Sequence, residues 1–204
     1  MNNSKKKWLN ISLIFGIVSA ILFSNICFSD SCDEMYNNII RIRIIANSNS
    51  KSDQDLKLNI RDAVLECSKE LFKDIKNYSD AEKIAKDNIE LFRDTANQVV
   101  KKQGYDYNVG LAIKDEYFNT REYDNFTLPA GTYKSLVFTV GEGTGENWWC
   151  VIYPEVCVGG CTGKLSDSIS ESSANFAYNS DKYIVKFKTV EIFESIKKRI
   201  KFFN

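Results

Sequence analysis

No charged residue lies between Lys7 and Asp30, and that gap constrains the chain more than anything after it. Lys5, Lys6 and Lys7 form a positive cluster, and Leu9 to Phe28 follow as an uncharged run broken only by Asn10, Ser12, Gly16, Ser19, Ser24 and Asn25. A run of about 20 residues at about 1.5 Å rise each is long enough for a bilayer core, so the segment reads as an export signal or an uncleaved anchor. Cys27 and Ser29 stand three and one residues before a cut at Asp30, which favours a cleaved signal. A lipoprotein cut before Cys27 is disfavoured by the bulk of Ile26. The expected organisation is a signal peptide or anchor at 1–29 and one extracytoplasmic domain at 30–204, with membrane contact through 9–28 if the segment is uncleaved.

The whole chain has 204 residues, enough for one ordinary domain, with 44% hydrophobic and 26% charged residues, which excludes wholesale disorder. Basic and acidic residues balance at 27 each, and without Lys5–Lys7 acids outnumber bases by three. A slightly acidic domain offers no basic face to displace counterions from phosphates, so nucleic acid is set aside as a partner.

Chemistry is narrowed further by the complete absence of histidine, which removes the usual general base for a Ser or Cys nucleophile and the commonest zinc ligand. The nearest string to an aspartic-protease motif, Asp94-Thr95-Ala96, falls within a helical pattern. Glu142 and Glu146 flank a glycine loop and could form a glycosidase pair, against the plainer reading of charges in a solvated loop. Gly141, Gly143 and Gly145 lead into a strand, whereas a phosphate loop opens a helix. No catalytic set, cofactor, metal or small-molecule substrate is assigned.

The pattern along the chain reads as α+β: an N-terminal strand, two amphipathic helices, antiparallel strands and a C-terminal helix, preceded by the apolar export segment. Ile39 to Ile45 alternates as a strand, and a weak Ser52/Asp55 capping box opens a helix through Leu71. Ser79 with Glu82 opens a second helix running to Val99. Period-two residues from Tyr107 suggest a hairpin turning at Lys114 to Glu116. Tyr133 to Val140 is a strand, and Trp148 to Tyr153, apolar on both faces, is expected inside the sheet. Residues 158–181 read as a loose polar loop, and Val190 to Phe203 as a closing helix after a short strand at Tyr183 to Phe187.

Of six cysteines, Cys150 and Cys157 are the expected disulfide, because they flank a segment whose Pro154 turn can bring them within bridging distance. The alternative is small buried thiols in a reducing setting. A metal site at Cys150, Cys157 and Cys161 is the weaker reading.

Two stretches together resemble one family. The first is Ile40 to Val64, with Ala46-Asn47-Ser48, Asp53-Gln54, Leu56-Lys57 and Arg61-Asp62-Ala63-Val64. The second runs from Leu128-Pro129-Ala130-Gly131 through the glycine loop to Asn147-Trp148-Trp149-Cys150, Pro154 and Cys157. The chain resembles stage II sporulation protein R, departing at Glu155, where relatives tend to carry a second proline, and in Gly159-Gly160-Cys161. The resemblance implies a signal and not an enzyme, made in the forespore and exported into the space between two membranes. There it would activate a membrane-embedded peptidase of the mother cell that processes the sigma-E precursor. The residues expected to meet that partner are Trp148, Trp149 and Asn147, with Asn47, Asp53, Gln54, Arg61 and Asp62 from the first stretch. Neighbours on a strand point to opposite faces, so one tryptophan is expected in the core and the other either under a loop or second layer or exposed as a binding hot spot. The competing readings are an exported cell-wall hydrolase using carboxylates and a membrane-anchored structural protein.

Overall fold

Ile40, Ile42 and Ile44 alternate with Arg41 and Arg43, and a strand so patterned turns its isoleucines to one face and its arginines to the other. The computed structural model describes residues 3–154 and 165–202, the side chains of 3–7, 9, 17, 18, 20–27, 193 and 196–202 excepted. In it the chain runs α1 (Asn3–Asn38), β1 (Ile40–Ile45), α2 (Lys51–Phe72), α3 (Tyr78–Asp87), α4 (Ile89–Lys102), β2 (Val109–Phe118), β3 (Arg121–Glu122) and β4 (Thr127–Leu128). Then follow β5 (Gly131–Val140), β6 (Asn147–Tyr153), α5 (Glu171–Tyr178) and α6 (Ile184–Phe202). The fold is α+β. Its main sheet is ordered β2-β5-β1-β6, with β1 parallel to β5 and the other pairs antiparallel, while β3 and β4 form a small separate ribbon.

The isoleucine face of β1 joins Leu136, Phe138, Val140 and Ile152 beneath Leu56, Ile60 and Val64 of α2 and Phe92, Ala96 and Val100 of α4, all buried. Full burial of such a side chain is worth about 1.5–3 kcal/mol, so this layer is the main source of stability. The arginine face is covered as well. Met35 and Ile39 at the end of α1, Phe126 and Leu128 of the ribbon, and Ala174 and Ala177 of α5 close over Phe118, Tyr133 and Val151. Arg41 is therefore fully buried. Its guanidinium lies 3.9 Å from the Phe118 ring centroid and donates to the Tyr123 hydroxyl at 2.6 Å.

The last turns of α1 are part of the domain. Tyr36 donates to the Ala130 carbonyl at 2.6 Å, and its ring occupies the place a Cβ on Gly131 would need, which explains the glycine after Pro129-Ala130. Glu34 accepts from the Ser170 backbone N–H and hydroxyl at 2.7 Å each and from the Ser173 hydroxyl at 2.5 Å, closing the N-terminus of α5. Among the residues whose side chains are described, which leaves out most of 17–27, no helix is long and apolar enough to cross a membrane.

Several elements differ from the sequence pattern. The first cap is Ser50, whose hydroxyl accepts from Asp53 N–H, and not Ser52. The second helix is divided at Asn88 and capped by Asn77, and not by Ser79. β2 runs straight through Lys114 to Glu116 and pairs with β5 along its length. Among the described residues β6 is an edge strand and not an interior one. The stretch expected as a loose loop holds a 3-10 turn at Leu165–Asp167 and α5, its residues 158–164 lying outside the described set. Tyr183 to Phe187 is helical, and not a strand.

Candidate partner-binding site

Where β1 gives way to α2, the turn residues Asn47 to Ser50 have polar side chains and the helix start has four N–H groups to satisfy. The glycine loop after β5 folds against this turn. Asn47 is the link: its Nδ2 donates to Asp53 Oδ2 at 2.8 Å, and its Oδ1 accepts from Glu142 N–H at 2.9 Å. Its carbonyl accepts from Thr144 through both the backbone N–H (3.2 Å) and the hydroxyl (2.8 Å). Gly145 N–H donates to the Ala46 carbonyl at 2.9 Å, and Glu146 N–H to Asn49 Oδ1 at 2.7 Å.

The glycines are required by this approach. Gly141 and Gly143 have φ of 54° and 61°, and a Cβ on Gly145 would strike the Ser48 carbonyl. Glu142 and Glu146 are exposed, and it is their backbone groups that are stitched into the junction.

Beneath the junction lie two buried ionisable groups. Burial alone would raise the Asp53 carboxyl, but hydrogen bonds from Ser48, Asn47, Tyr107 and Ser50 outweigh it and hold the pKa below its ordinary value. Burial lowers the Lys57 ammonium, opposed by the charge of Glu146 and reinforced by Arg61. Lys57 Nζ donates to Gln54 Oε1 and, at 3.1 Å, to the Glu146 carbonyl, while Gln54 Nε2 holds the Ser48 carbonyl at 2.8 Å. Asn47, Asp53 and Gln54 thus meet in one network, to which Ser48, Lys57 and Tyr107 belong although they were not among the expected site residues. Leu56-Lys57 stood within the first stretch of likeness, and a lysine on a helix's apolar side was the signal to follow.

The two tryptophans leave the junction along β6 in opposite directions. Trp148 packs on the α2 side, with the Arg61 guanidinium 5.4 Å from its ring centroid. Trp149 packs on the α1–α5 side, with the Arg121 guanidinium only 3.9 Å from its centroid. Both are half-buried, so of the two placements left open for the second tryptophan it is the covered one that holds, and neither ring is fully exposed. The reason is that both faces of the sheet carry a covering layer. Asn147 accepts from Arg43 Nε at 2.8 Å, and Arg43 continues to Glu116 at 3.1 Å. Asp62 is exposed and pairs with Arg61 at 2.7 Å. Nothing in the sequence around Arg121 marked it out. Cys150 is disulfide-bonded, and Cys157 lies outside the described residues.

Residues 36–162, more than half of the chain, match the family model described as stage II sporulation protein R. The chain belongs to the stage II sporulation protein R family. Over 118 residues it is 36% identical to stage II sporulation protein R of Bacillus subtilis (strain 168), a match covering 58% of this chain and 53% of that protein, so the chain spans about half the length of that curated relative. No solved structure matches. The stage II sporulation protein R match begins at Tyr36 and takes in the Asn47 junction, Gly131 and both tryptophans, while α5 and α6 lie beyond it.

Proposed function

We propose that this sporulation protein is an exported signal, not an enzyme, that binds a membrane-embedded peptidase of the mother cell and triggers processing of the sigma-E precursor. The observation that carries the reading is the pair Trp148 and Trp149, half-buried on an edge strand, each with an arginine against its ring and both following closely in sequence on the Asn47 junction. Tryptophan and arginine are the side chains that most often dominate binding energy at protein interfaces. A rigid polar junction behind them presents the pair without loss of conformational freedom on binding. The family membership supplies the sporulation context.

Co-expression with the peptidase and the sigma-E precursor in vegetative cells tests this directly. Processing is expected with the native chain, and its absence with both partners present would sink the proposal. Release of muropeptides by the purified protein, abolished by Glu142→Gln, would instead favour the cell-wall hydrolase.

A further inference from the structure

Helix α1 continues without a break through residues 27–31, where an export signal of this composition would be cut. Phe28, on the far side of that cut from the domain, is 1% exposed. Its ring meets Phe176 and Phe187 edge-on at 5.2 Å each, and the Lys186 ammonium lies 5.7 Å from its centroid. Ser31 and Cys32, just past the cut, are buried too. A chain beginning at Asp30 would leave a ring-sized hole between α5 and α6.

The other half of α1 has the opposite character. Trp8, Ile11, Leu13, Ile14 and Phe15 are between 56% and 73% exposed, and at helical spacing they point in all directions around the axis. A helix that is apolar all round and whose described side chains are all exposed needs an apolar solvent. From Leu9 to Phe28 the run is uncharged and, as a helix, about 30 Å long, the thickness of a hydrocarbon core. Lys5–Lys7 at its start fix the orientation with that end in the cytoplasm. Phe28 would then lie at the outer rim, packed near Tyr183 and Lys186, residue types that favour the headgroup level, with Ile184 and Val185 at the start of α6 exposed.

We propose that α1 is retained in the exported protein: once α5 and α6 have crossed, the clasp of Phe28 by Phe176 and Phe187 takes residues 27–31 into the folded domain as continuous helix, and the apolar half of α1 stays in the lipid of the membrane it crossed. The domain stands on that membrane with the start of α6 against the surface. This holds whatever the domain activates.

The test uses the full chain with a C-terminal tag in an exporting bacterium. Intact mass should show a polypeptide still containing Phe28, resistant to carbonate extraction and with a tag that protease digests from outside the cell. A product beginning at Asp30 or later overturns the proposal, as does a carbonate-soluble oligomer paired through α1 or a tag protected inside. Phe187→Ala opens the clasp without altering residues at the cut, and should yield a new N-terminus near Asp30 with loss of the membrane-bound form. If Phe187→Ala is as uncut as the native chain, the clasp is not what retains the helix.

Discussion

Asn47 Oδ1 occupies the position that a Cβ on Gly141 would take, so the side chain that joins the two halves of the junction also dictates the residue opposite it. Gly141→Ala combines this clash with a φ of 54°, and left-handed backbone alone costs about 1–2 kcal/mol for a residue with a side chain. Chemical denaturation should show a loss of at least about 2 kcal/mol. Gly110→Ala is the control, because there a Cβ meets nothing closer than 3.9 Å. Equal behaviour of the two would mean that the loop is free to move away from Asn47.

The Asp53 carboxyl sets an acid limit to the junction. Its folded pKa is lowered by hydrogen bonds from Ser48, Asn47, Tyr107 and Ser50, in excess of the opposing effect of burial. It therefore adds stability above the unfolded value of about 3.9, and that contribution disappears as pH falls from there through the folded pKa. Asp53→Asn should be less stable at neutral pH and should show a shallower loss below about pH 4. An unchanged acid limb in the variant would remove Asp53 from the account.

Arg61→Ala and Arg121→Ala separate binding from folding. A partly exposed arginine over an indole is worth about 0.5–1 kcal/mol, so both variants should fold. If Trp148 and Trp149 with their arginines meet the peptidase, precursor processing in co-expression should fall sharply in both. Trp148→Ala and Trp149→Ala should each cost about 2 kcal/mol, less than a fully buried tryptophan, since both rings are only half-buried. Full processing by both arginine variants would move the interface elsewhere.

Cys150 is bonded, and its partner is open to measurement. Peptide mapping of the oxidised protein should find Cys150 joined to Cys157, with a mass about 2 Da below the dithiol. Cys150→Ser should cost about 2 kcal/mol, the loop closed being short. Linkage to Cys161 would overturn the pairing.

Periodicity carried the sequence reading of the layers and failed where polar residues had tertiary partners. The stripe from Ile84 to Val99 passes Asn88 without losing phase, so the interruption is invisible until Asn88 Nδ2 is seen donating to the Ile84 carbonyl at 2.9 Å. Lys114 to Glu116 have the polarity of a turn, yet Asp115 pairs with Lys134 at 2.7 Å and Glu116 with Arg43, contacts that only a continuous edge strand provides. Arg41 lies on the charged side of the β1 alternation, and its burial depends on a ribbon and a helix more than 80 residues away. The network of Asn47, Asp53 and Gln54 was legible as a group because its members lie within eight residues of sequence. Arg121 was not, since only the fold brings it to Trp149.

Glu34 meets Ser170 and Ser173 across 136 and 139 residues of sequence, so one carboxylate ties the first part of the domain to nearly the last. If the chain is exported as proposed, it reaches the outside N-terminus first, and loop closure of that length must await its final partner. A chain halted before Ser170 has no lid over Met35, Tyr133 and Val151. On that reading the far side of the membrane would receive an open sheet first and a finished domain only when the last third has arrived, and hydrogen exchange on chains truncated before Ser170 should find the end of α1 unprotected.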